Sequence, residues 1–209
     1  MSSASYLTVA RTGTAEIEVK RSRFLCHVER VGSEEQARGV VERIRKQHWD
    51  ARHHCSAFIL GPAGEVQRSS DDGEPSGTAG APMLEVLRGR ELSDVVTVVT
   101  RYFGGVLLGA GGLVRAYSDA ARAGLDEAGV RQRRLLDKVD VTVGHGDAGK
   151  LENELRARGV DVVGVDYAEQ VTLHVAAASG EGRIFDGLLA ELTGGNAVAA
   201  WTGSDWVDD

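Results

Sequence analysis

Residues 69–82, SSDDGEPSGTAGAP, bring together three carboxylates (Asp71, Asp72 and Glu74), the hydroxyls of Ser76 and Thr78, three glycines and two of the chain's three prolines. Glycine leaves the backbone loose, and proline removes a donor and fixes φ, so this composition ends a strand and admits no helix before its last residues. The result is a loop whose carboxylates either serve a ligand or pair with cations of the chain itself. Three acids within four residues offer oxygens suited to Mg²⁺, but no further ligand accompanies them and no metal is assigned.

A second stretch, VVTRYFGGVLLGAGGLVRAYSDAAR at residues 98–122, has the makings of an anion site. A buried strand ends at Arg101, a loop supplies Gly104, Gly105, Gly109, Gly111 and Gly112, and a helix starts directly behind them. Free N–H groups at a helix start, reached through glycines that let an oxygen approach the backbone, favour phosphate. Arg101 and Arg115 bracket the loop, which makes these seven residues the candidate anion- or RNA-binding set. The alternative is that the glycines serve only close packing. The stretch is neither a Walker loop, since no Gly-Lys-Ser/Thr follows, nor the GxGxxG of a dinucleotide fold.

Nucleophiles and bases are sparse around both stretches. Cys26 and Cys55 sit in apolar, strand-like segments without a CxxC pair and read as buried thiols. His53 and His54 lie upstream in a strand, and His145 and His174 read as a turn residue and a strand residue with no second ligand at metal spacing. No catalytic residue and no cofactor follow from this inventory.

The elements that must position these loops are legible from periodicity. TAEIEVKRSRFLCHVE reads as a strand pair, and SEEQARGVVERIRKQH reads as a helix opened by Ser33 and Gln36, with Ala37, Val40, Val41 and Ile44 on one face. CSAFIL and EVQRSS flank a GPAG turn, so a hairpin delivers the chain into the acidic loop. A short helix over GAPMLEVLRG, a buried strand over DVVTVVTRY and a helix over GGLVRAYSDAARAGLDEAG follow. The pattern resets near Lys138. Beyond it the order is strand, helix, strand, strand, helix, strand, the βαββαβ of a ferredoxin-like fold, with Asp147 as the expected cap of the first helix. RQRRLLDK reads as the joining segment, an exposed basic strand or a linker open to proteases.

Charge divides at the same place. Residues 1–138 carry 20 Lys+Arg against 18 Asp+Glu, whereas residues 139–209 carry 4 against 13. Seventeen of the first 20 are arginine, whose planar fork suits phosphate. The acidic second part argues against adhesion of the whole chain to nucleic acid. No run approaches the roughly 18 apolar residues of a membrane span, and MSSASYLTVART lacks the basic start and apolar run of a signal peptide; the expectation is a cytoplasmic protein without membrane partners.

SDDGEPSGTAGAPML together with VVTRYFGGVLLGAGGLVRAYSDAAR, with SRF at residues 22–24 and ARHHCSAF between, strongly resembles the YigZ/IMPACT family. The resemblance covers residues 6–130, and the acidic part resembles the second domain of bacterial members. It implies an α+β chain: an N-terminal domain over 1–136 of the ribosomal protein S5 domain 2-like fold, then a ferredoxin-like domain over 137–209 similar to one in elongation factor G. It also implies a role in regulating translation and supplies no catalytic residue. Eukaryotic relatives act through an added RWD domain that nothing here resembles, so their mechanism is not carried over. One departure is His54, where the resemblance leads one to expect Asn.

The expected function is therefore a non-catalytic regulator of translation that binds RNA, the ribosome or a translation factor through the glycine, arginine and acidic loops. The two loops are expected to adjoin, with Asp71, Asp72 and Glu74 facing Arg101 and Arg115 across a cleft. The alternatives are an enzyme acting on a small phosphorylated substrate in that cleft, and a protein-interaction adaptor, against which the polar look of the signature counts. Oligomeric state is left open.

Overall fold

The computed structural model describes residues 5–209. Its elements run β1 (Ser5–Val9), β2 (Gly13–Val19), β3 (Ser22–Arg30), α1 (Glu34–Gln47), β4 (His53–Leu60), β5 (Val66–Ser70), α2 (Gly80–Gly89), β6 (Val95–Tyr102) and α3 (Ala110–Ala128). They continue with β7 (Val130–Val143), α4 (His145–Ala157), β8 (Asp161–Tyr167), β9 (Val171–Ala178), α5 (Gly182–Thr193) and β10 (Val198–Asp208). The architecture is α+β with antiparallel sheets. The chain divides into two compact units between Gln132 and Arg133. No helix among the described residues is long and apolar enough to cross a membrane.

The first unit is built on a sheet of order β2-β3-β6-β4-β5. Its central strand carries the valine run because both faces are covered. Val95 and Val99 join the core beneath α2 and α3, while Val96 and Val98 join a second core beneath α1. α1 begins at Ser33, whose hydroxyl accepts from Gln36 N at 3.2 Å; the Gln36 side chain reaches back to Gly32 N at 2.7 Å, one residue beyond the usual reciprocal cap. α3 lies so close to β2 and β3 that only glycine fits at the crossing. A Cβ on Gly13 would collide with the carbonyl of Gly124 and lie 2.6 Å from Ala128 N, and one on Gly124 would collide with Cys26 Sγ.

The second unit forms a sheet in which β7 pairs with β10 on one side and β9 on the other, with β8 beyond β9. Every pairing in this set is antiparallel. Alternation along β7 and β9 sends Val139, Val141, Leu173 and Val175 into a core with Leu151 and Leu155 of α4 and Phe185 and Leu189 of α5. Of the two readings of RQRRLLDK, an exposed basic strand or a linker, the structure has the strand: β7 runs through it and Arg133–Lys138 pair with Asp208–Gly203 of β10. One sequence expectation is corrected here. α4 starts at Gly144 rather than Asp147, which instead sits in its first turn, where a carboxylate favours the helix dipole without capping it.

Two outcomes follow. Gly13→Ala destabilises the chain by about 1–3 kcal/mol because the opposing atoms are backbone and cannot rotate away, measured by urea unfolding. Under native conditions trypsin leaves the bond after Lys138 intact, since β7 is paired there with β10 on one side and β9 on the other and cannot enter a protease cleft; mass spectrometry of the earliest fragments checks this.

Candidate functional site

The acidic loop leaves the end of β5, arches over the end of β4 and reaches β6, although β4 separates those two strands in the sheet. Its carboxylates do not share a cleft; each meets a different partner. Asp71 Oδ1 accepts from Ala79 N at 3.0 Å and Gly80 N at 2.8 Å, and Oδ2 accepts from Gly77 N at 2.8 Å. It thereby caps α2, whose own N-cap residue, Ala79, has no side chain able to do so. Burial opposes the charge on Asp71, but the N–H groups of Gly77, Gly80 and Ala79 outweigh it and hold the carboxyl below its ordinary range.

Asp72 adopts a left-handed φ of 42°. Its carboxylate accepts from His54 N at 2.6 Å and from Arg45 at 2.9 Å, and its carbonyl accepts from His53 Nδ1 at 2.9 Å. Arg45, placed by the helical pattern on an outer face, is thus part of the clasp.

Glu74 enters the interior. Its Oε1 accepts from Arg101 Nη1 at 2.7 Å and from the Tyr117 hydroxyl at 2.8 Å, with the Arg101 and Glu74 side chains 7% and 4% exposed. Arg101 Nη2 also donates to Ser22 Oγ at 3.3 Å, which accepts from Gly104 N at 3.1 Å as well. The guanidinium lies over the rings of Phe24 and Phe103, 5.4 Å and 5.5 Å from their centroids. Beside this cluster Cys55 Sγ donates to the Asp71 carbonyl at 3.0 Å. Burial pushes the Cys55 thiol up to about 12 and raises Tyr117 as well, so neither ionises near neutrality.

Arg101 is therefore not one arm of a bracket around the glycine loop. It is buried and committed to Glu74 and Ser22, while Arg115 is exposed on α3. The two stretches do adjoin, through Glu74, which meets both Arg101 and Tyr117. The glycines have backbone reasons of their own. Gly104 lies against the backbone of Arg21 and Ser22 where no Cβ fits, and Gly105 and Gly109 take φ of 82° and 75°. A Cβ on Gly112 would press on Leu108, and Gly111 alone of the five has neither a positive φ nor a close neighbour to require glycine. Thr78 is buried and donates to the Pro75 carbonyl at 2.6 Å, whereas Ser76 is exposed. Among the described residues no group of three or more His, Cys, Asp and Glu is arranged to hold a metal ion.

What the loop presents outward is apolar. Leu107 is 83% exposed, Phe103 and Val106 are exposed beside it, and Val114 follows on the first turns of α3. The sequence reading counted the polar look of the signature against a protein contact; the fold reverses that, because the polar groups turn inward and the apolar ones turn out. Ser22 and Tyr117, which hold the cluster together, were missed. Their partners lie 79 and 43 residues away, and no local pattern signals such pairs.

Two outcomes test the cluster. Arg101→Met strands the Glu74 carboxylate and lowers stability by about 3–5 kcal/mol, and adding Glu74→Gln restores part of the loss, as a double-mutant cycle in urea shows. Burial holds the His54 imidazole below its ordinary value. The unfolded chain therefore takes up this proton first, so the contribution of neutral His54 is complete above about pH 6.5 and is lost as pH falls below it. His54→Asn flattens the slope of stability between pH 8 and about pH 5.5, read from denaturant midpoints.

Comparison with known proteins agrees with these landmarks. Residues 20–125 match the Impact N-terminal domain and residues 141–196 match a domain of unknown function, DUF1949. The chain is similar to the IMPACT family member YvyE of Bacillus subtilis (strain 168), with 45% identity over 193 residues, 92% of this chain and 89% of the relative. It is also similar to the IMPACT family member YigZ of Escherichia coli (strain K12), with 35% identity over 92% of this chain and 95% of the relative. A solved structure, described as the crystal structure of an hypothetical protein, aligns with TM-score 0.64 and 34% identity over 94% of this chain and 96% of its own. With both stretches of the signature inside the first match and nearly the full length of two relatives covered, the chain belongs to the IMPACT family.

Proposed function

We propose that this chain is a non-catalytic regulator of translation that works by contact, docking the tip of its glycine loop on a protein surface of the ribosome or a bound translation factor. The observation that carries this reading is the contrast between the two sides of one loop. Arg101, Glu74, Tyr117 and Ser22 are spent on internal bonds, and outside them Phe103, Val106 and Leu107, within five consecutive residues, stand exposed on the loop. Clustered exposed apolar side chains on a rigid base are the usual core of an interface. An enzyme in the same place would need a nucleophile or base, and the signature holds a thiol kept protonated by burial, carboxylates already bonded, and imidazoles of His53 and His54 that bond the Asp72 carbonyl and Thr100. RNA as the ligand of this loop is less well supported, because Arg101 is withdrawn from it.

The resemblance supplies the translation role, and the strand orders support the finer fold assignments. The order β10-β7-β9-β8 over a βαββαβ chain is that of a ferredoxin-like domain, and the first unit is assigned to the ribosomal protein S5 domain 2-like fold by the family resemblance.

Co-sedimentation of the full chain with purified ribosomes at about 50 mM salt tests the proposal. Leu107→Asp removes an interface anchor and weakens binding by about 2 kcal/mol or more, while Arg115→Gln changes it little. Equal loss for both variants, or no co-sedimentation of the wild type with or without translation factors, overturns it.

A further inference from the structure

Outside the signature, Trp49 is 81% exposed at the end of α1, an unusual position for a large aromatic side chain in a folded unit. Lys46 precedes it and Arg52 follows it, and neither makes an ion pair among the described residues, whereas Arg43 and Arg45 are held by Glu29 and Asp72. The helix dipole accounts for cations in the last turn of α1. It does not account for an indole in water or for Arg52.

The surface beside Trp49 is shaped. α1 packs over β4 and β6, leaving the same face of β2 and β3 uncovered. There an open pocket of about 380 Å³ is lined by Gln47, His48, His27, Thr100, Leu25 and Glu16. His48 is oriented, since its Nδ1 donates to the Tyr102 hydroxyl at 3.1 Å, which in turn donates to Asp50 at 3.1 Å. The acids close by are engaged: Glu16 by Arg23, Glu29 by Arg43 and His27, and Asp50 by Tyr102. An exposed ring flanked in sequence by two unpaired cations, with its neighbours Gln47 and His48 lining a pocket of hydrogen-bonding groups, is the chemistry of a site for an unpaired nucleotide.

We propose that single-stranded nucleic acid binds here, with a base stacked on Trp49, its flanking phosphates on Lys46 and Arg52, and the neighbouring nucleotide in the pocket at His48 and Gln47. This site is separate from the glycine-loop tip and does not depend on it.

The test is fluorescence anisotropy of the full chain with a labelled oligouridine of about 12 nucleotides at about 50 mM salt, beside the matched DNA strand and a duplex RNA. Trp49→Ala weakens single-strand binding about tenfold or more while Trp49→Phe keeps most of it, as expected for one lost base stack. Lys46→Gln with Arg52→Gln lowers the slope of log affinity against log salt by about 1.4, two phosphate contacts on a single strand. All these positions are exposed, so melting temperatures stay at the wild-type value. Whichever strand shows the Trp49 dependence, RNA or DNA, supports the site and names its source. Binding of duplex as tight as single strand, a Trp49→Ala effect within twofold, or no binding of either strand overturns it. Leu107→Asp leaves this binding unchanged, so failure here and failure of the ribosome contact are told apart.

Discussion

The first unit depends on one buried charge pair. Arg101 and Glu74 are removed from water together, and such a pair is tolerable only where further donors and acceptors complete its shell. Tyr117 and Ser22 supply most of that shell, bringing in α3 and the start of β3, while Phe24 and Phe103 lie against the guanidinium and Arg101 Nε is left without a hydrogen-bond partner. Four segments far apart in the chain meet at this point. The arrangement spends the two arms of the signature on each other, and what remains available to a partner is the loop they hold out.

That division of labour explains a composition that would otherwise suggest chemistry. Carboxylates, hydroxyls and glycines within a dozen residues look like a ligand cage. Here Asp71 closes the start of α2, Asp72 fastens the loop to β4 and α1, and Glu74 anchors it in the core. Each does what a capping or bracing group does elsewhere, but from a loop, because a turn rich in proline and glycine has few backbone bonds of its own and must be held by side chains. His53 Nδ1 and the backbone N–H of His54 belong to the same clasp.

The two candidate contact surfaces differ in kind. The loop tip is apolar and presented by backbone geometry, whereas the end of α1 joins an exposed indole to unpaired cations. The tip adjoins the polar cluster through Phe103, which also faces the Arg101 guanidinium, whereas the end of α1 stands apart from it.

Alternation and helical spacing determined most of the elements. Ser33 and Gln36 marked the start of α1, the GPAG turn marked the hairpin, and the valine run of β6 signalled burial on two faces, because these signals act between residues a few positions apart. The length of β7 was not legible: RQRRLLDK is basic and polar, and it becomes a strand only because β10 arrives from some 70 residues later to pair with it. Arg101 read as a phosphate ligand for the same reason. Its type and place beside a glycine loop are local facts, but its burial depends on Glu74, Tyr117 and Ser22, and long-range partners leave no periodicity in a single chain. Trp49 read as one more residue at a helix end; that it stands in water is a matter of where α1, packed chiefly over β4 and β6, leaves the sheet.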